Sequence, residues 1–103
     1  MKHPDTCLIL VVARELEETL IDVLLEHDDL VRRFGSYPVD AHGARIGYAN
    51  VAEQVRGRSR QIEFQLLLMR DDVDAICAAL REHLPRAEIT YWALPLLSYG
   101  RIN

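Results

Sequence analysis

The stretch Thr6 to Ala13 is apolar on both sides of any strand it forms, because Cys7, Ile9 and Val11 alternate with Leu8, Leu10 and Val12. Successive side chains of a strand point to opposite faces, so a segment of this kind needs cover above and below it. It fits the middle of a sheet and is poorly suited to a surface. At six residues, Leu8 to Ala13 is also far shorter than a membrane span of roughly 20 residues. Lys2 is the only early basic residue and no small-residue cleavage pattern follows, so a buried strand of a cytoplasmic protein is expected in place of a signal peptide.

The period changes after Ala13. Leu16, Leu20, Val23, Leu24 and His27 fall at helical spacing, and Glu15, Glu17 and Glu18 stand where the positive end of a helix dipole favours anions. Asp28 and Asp29 end that pattern, and a second strand is expected from about Leu30 to Pro38. Gln61 to Met69 alternates cleanly, with Ile62, Phe64, Leu66 and Leu68 on one side and Glu63, Gln65, Leu67 and Met69 on the other. A second helix opens at Asp71 and Asp72, acids suited to capping, carries Val73, Ile76, Cys77, Leu80 and Leu84 on one stripe, and stops at Pro85. A last strand, Glu88 to Leu97, sets Ile89, Tyr91 and Ala93 against Thr90, Trp92, Leu94 and Leu96. The order strand, helix, strand, strand, helix, strand predicts an α+β, ferredoxin-like βαββαβ fold: a four-stranded antiparallel sheet with two helices on one face. Its 103 residues make a single domain, 1–103.

Two helices cover only one face of such a sheet. The first strand, Leu67 and Met69 of the third, and either Tyr91 or Trp92 of the fourth would leave an apolar second face larger than a monomer usually tolerates. A symmetric oligomer is therefore expected, with that face as the subunit interface.

The formal charge of −4 excludes general nucleic-acid affinity, which needs a basic face. Charge is nevertheless uneven, with Arg45, Arg56, Arg58 and Arg60 against Glu53 alone between Ala41 and Ile62. These residues belong to a connection, Val39 to Arg60, much longer than a hairpin needs. Guanidinium groups beside Gly43, Gly47 and Gly57 suit an anion or phosphate clamp, and they equally suit pairing with carboxylates of the acidic body. Cys7 and Cys77 form no Cys-x-x-Cys pair and are expected as reduced core residues. His3, His27, His42 and His83 show no metal-ligand spacing, and His27 and His83 stand near helix C-termini, where the dipole favours an imidazolium. With no nucleophile elbow and no acid–base pair, a binding protein is expected and not an enzyme.

The segment Gly57 to Leu68, the second helix, and the segment Tyr91 to Ile102 resemble a small bacterial family of PII-like proteins, and more widely the PII nitrogen-regulatory signalling proteins. Leu94, Pro95 and Leu96 followed by Arg101 and Ile102 are similar to the end of PII chains. The resemblance implies a ferredoxin-like homotrimer that binds a small effector in intersubunit clefts, and it makes residues 39–60 the counterpart of the T-loop that engages partners. By position it brings Gly35, Gly43, Arg58, Arg60 and Arg101 nearest the cleft, with Arg45 and Arg56 among the loop's anion-binding candidates. PII proteins also carry a glycine-rich basic phosphate loop between the second helix and the last strand. Here Leu84, Pro85, Arg86 and Ala87 occupy that link, so ordinary ATP binding is not implied, and no cofactor is named. The expected partners are the other subunits, a small-molecule effector and a membrane transporter, heavy-metal efflux being the suggested setting. A rival reading on the same fold is a metal-binding, divalent-cation tolerance protein that would use His42 and Cys77.

Overall fold

The computed structural model describes residues 3–43 and 59–103. Its elements are β1 (Thr6–Ala13), α1 (Glu17–Glu26), β2 (Val31–Ala41), β3 (Ser59–Leu68), α2 (Val73–His83) and β4 (Thr90–Pro95). The strands form one antiparallel sheet in the order β2-β3-β1-β4. This is the expected ferredoxin-like arrangement, and it places the doubly apolar β1 inside the sheet.

The core follows from strand alternation. Leu8, Leu10 and Val12 of β1 and Ile62, Phe64, Leu66 and Leu68 of β3 meet Leu20, Val23 and Leu24 of α1 and Ile76 and Leu80 of α2. Phe64 is wholly buried at the centre, with its ring 6.4 Å from that of Phe34 on β2. Truncating a large buried aromatic loses both its transfer energy and the packing of its neighbours, about 3–5 kcal/mol. That is a large share of the ~5–15 kcal/mol that holds a domain of this size. Chemical denaturation of Phe64→Ala should therefore show most of the stability gone, whereas Phe64→Leu should lose much less.

Both helices are entered through short 3₁₀ turns, Arg14–Leu16 and Arg70–Asp72. The capping expected of Asp71 and Asp72 is not made by either side chain. Asp72 is already helical at φ −94° and ψ −4°, whereas a capping residue needs an extended backbone to fold its oxygen over the first turn. An acid from elsewhere supports this corner instead: the Asp5 carboxylate accepts the Arg70 N–H at 2.8 Å and the Thr6 hydroxyl at 2.9 Å, tying the start of β1 to the entry of α2.

Three strands differ in extent from the periodicity. β2 runs on past Pro38 to Ala41 and β3 begins at Ser59, so Val39 pairs with Gln61, Asp40 with Arg60 and Ala41 with Ser59. The two ends of the expected 39–60 connection are thus a ribbon, held by backbone hydrogen bonds that hydrophobic alternation does not report. Pro38 is accommodated because β2 is an edge strand. β4 is shorter than Glu88 to Leu97 because its ladder with β1 spans only Thr90 to Pro95.

The Asp5 carboxyl is held below its ordinary range, first by the Arg70 N–H and then by the Thr6 hydroxyl. A carboxyl of this kind adds stability above its unfolded value and loses it as pH falls through the lower folded value. Asp5→Asn should consequently flatten the loss of stability on acidification below about pH 4, read from thermal midpoints across pH.

Candidate functional site

The face of the sheet opposite the helices is built in cross-strand rows. Arg33, Leu67, Cys7 and Leu94 form one, Gly35, Gln65, Ile9 and Trp92 the next, and Tyr37, Glu63, Val11 and Thr90 a third. Trp92, and not Tyr91, is therefore the aromatic turned to the open side. Ile9 is already buried between its neighbours, but Trp92 is 43% exposed and Leu94 51%. Every residue of β4 is exposed, and among the described residues its outer edge carries no further strand. An apolar edge strand of this kind is a template for association.

Two concavities flank the ribbon where β2 and β3 pass beyond β1, sharing Val39 and Gln61. The larger, about 370 Å³, has Arg14 and Arg60 on its wall together with Asp40 and Pro38. The other, about 280 Å³, lies on the open side and is lined by Val11, Val39, Ala41 and Trp92, with His42 and Glu63 at its polar margin. One wall of the ribbon base is thus basic, and the other is apolar and aromatic. Arg14 was not among the residues the sequence singled out. It stands directly after β1, where it reads as part of a helix start, and only the β1–β3 pairing brings it to Arg60.

Of the sequence candidates, Arg60 lies at this base. Gly43 lies just past β2 with φ 145°, a backbone setting that favours glycine. Gly35 is exposed in mid-β2 opposite Gln65, five residues along β3 from Arg60, or roughly 17 Å away. Arg101 belongs to the segment that leaves the sheet after Pro95, beside Thr6 and away from the Ala13 end where Arg60 stands. A single chain therefore does not gather Gly35, Arg60 and Arg101 into one pocket. Arg45, Arg56 and Arg58 lie outside the described residues. His42 borders the open-side cavity while Cys77 lines a cavity of about 240 Å³ between α2 and β4, so the sheet stands between them. Among the described residues no three His, Cys, Asp or Glu side chains cluster as metal ligands.

Both thiols are half-buried and free. Burial pushes the Cys7 thiol up, with help from the Glu63 carboxylate. The Cys77 thiol is likewise raised, chiefly by burial, with Asp74 adding to the shift and Arg81 opposing it. Since the thiolate is the reactive form, both should react with a disulfide reagent at neutral pH more slowly than a free cysteine. Stopped-flow thiol titration of the Cys7→Ser and Cys77→Ser variants measures each separately.

A family model described as a protein of unknown function, DUF3240, matches residues 2–103. Among solved structures, a DUF3240 family protein from Shewanella baltica superposes with a TM-score of 0.78 at 16% identity, covering 100% of both chains. CPII, a nitrogen regulatory PII-like protein from Thiomonas intermedia seen bound to ADP, AMP and bicarbonate, gives 0.69 at 11% identity over 96% of this chain and 97% of its own. A PII-like signaling protein from Thermus thermophilus gives 0.62 at 16% identity, over 93% and 91%. No curated protein matches.

Proposed function

The chain belongs to the DUF3240 family, and from that membership and its PII-like fold we propose that it is a regulatory module, not a catalyst, that binds a small anionic effector in clefts between identical subunits. The observation that carries this reading is the open sheet face. Leu67, Trp92 and Leu94 present apolar side chains there beside the buried Ile9, and the cavity lined by Val39 and Trp92 opens on the same side, with the basic cavity across the ribbon from it. A second copy on that face shelters the apolar rows and turns the open-side cavity at the ribbon base into a shared crevice. Arg14 and Arg60 then supply fixed positive charge for a phosphate, carboxylate or bicarbonate, with Arg able to hold such a group through two parallel hydrogen bonds.

Subunit contact also answers the scatter of the sequence candidates. Gly35, Arg60 and Arg101 are remote within one chain, and a closed ring of copies is the arrangement that lets one subunit's end meet another's ribbon. A homotrimer is the form we propose, after the PII resemblance. Residues 39–60 are the element we propose to contact the partner, with effector occupancy at the ribbon base setting their conformation. The partner in this reading is a transporter, heavy-metal efflux being the setting the family resemblance suggests. No helix among the described residues is long and apolar enough to cross a membrane.

Light scattering on the purified protein should give a mass about three times that of the 11.8 kDa chain. Leu94→Asp, which puts a charge on the exposed apolar edge of that face, should reduce it to one chain; a wild-type mass of a single chain would overturn the assembly. Calorimetric titration with adenine nucleotides, bicarbonate and phosphate should find a ligand, and Arg60→Ala should weaken it by about 1.5–3 kcal/mol, the worth of a hydrogen bond to a charged group. Silence across that panel would remove the sensing role.

A further inference from the structure

The histidines His27 and His83 stand 56 positions apart in sequence, one at the end of α1 and one in the last turn of α2, yet their rings approach edge to face with centroids 6.0 Å apart. The approach has a local cause. The His27 ring folds back along its own helix, its Nδ1 standing 2.9 Å from the Val23 carbonyl oxygen. A carbonyl oxygen can only accept, so Nδ1 is the protonated nitrogen and donates this bond. In the neutral ring that leaves the lone pair on Nε2. An imidazole whose Nδ1–H is held by a backbone carbonyl is the form in which protein histidines are usually presented to a metal ion, because the bond fixes both tautomer and ring orientation.

We propose that His27 and His83 together form a binding site for a divalent transition-metal ion of the zinc, nickel and copper class. Imidazole nitrogen suits these ions. The geometry is of the right scale: with a metal–nitrogen bond of about 2.0–2.1 Å, two imidazoles on one ion have centroids about 5.2 Å apart at the tetrahedral angle and about 6.4 Å apart when opposed. The observed separation lies between these limits, so the two rings stand at the spacing that one shared ion requires. His83 is exposed and His27 half-buried, which leaves an entry from solvent.

No third His, Cys, Asp or Glu joins the pair as a cluster among the described residues. Water therefore completes the coordination, and the site is open and exchangeable, unlike the closed four-ligand sites that hold structural zinc. It lies on the helix side of the molecule and does not depend on the subunit clefts proposed above. It also does not use His42 and Cys77, the residues to which the sequence pointed for metal.

The test is calorimetric titration of the full chain with zinc chloride, together with imidazole nitrogen NMR. The wild type should take up zinc with a shift of the His27 Nε2 signal while Nδ1 keeps its proton, and His83→Ala should weaken uptake at least tenfold. His3→Ala should leave it unchanged. Because His27→Ala also removes the bond to Val23, His83→Ala at an exposed position is the deciding variant, its fold checked by circular dichroism. Absence of zinc uptake by the wild type, or equal uptake by wild type and His83→Ala, would overturn the site and reduce the ring contact to packing.

Discussion

A strand with apolar side chains on both faces has to be sheltered twice, and the architecture follows from how that demand is met. β3 and β4 flank β1, and α1 and α2 close over Leu8, Leu10 and Val12. This answers the demand on one side. On the other side, Trp92 and Gln65 crowd Ile9, but Trp92 and its neighbour Leu94 are themselves left exposed. The unfinished side is a property of this fold with this sequence on it, since no second layer stands on it among the described residues.

The organisation of the polar residues is consistent with this division. The acids lie largely on the helices and their entries, while Arg14 and Arg60 line one cavity where the ribbon leaves the body of the sheet. An overall acidic protein thereby keeps a local positive wall at the point where its longest connection departs. Charge at such a place acts locally, because near groups outweigh remote ones screened by water and salt.

Much of the fold was legible in the sequence because it rests on period. The alternation of Ile62, Phe64, Leu66 and Leu68 and the helical stripes through Leu20 and Leu80 are repeated signals, each supported by several residues. The ends of β2 and β3 were not legible: Asp40, Ala41, Ser59 and Arg60 are paired through backbone groups that every residue possesses. The site was less visible still. Arg60 stood out by composition, but Arg14 gains its meaning from a β1–β3 register that local sequence does not contain. His27 and His83 carry no ligand spacing at all, and only the packing of two helices makes them neighbours.

The ribbon formed by the ends of β2 and β3 has a mechanical consequence. Beyond Ala13 neither β1 nor β4 accompanies it, so the pairs Asp40–Arg60 and Ala41–Ser59 form a narrow two-stranded lever whose root is Gln61 and Ile62. A load applied at its outer end reaches the body as torque on β3, the same strand that holds Phe64 at the centre of the core. The handle and the keystone are one piece of chain, and turning the first strains the packing around the second.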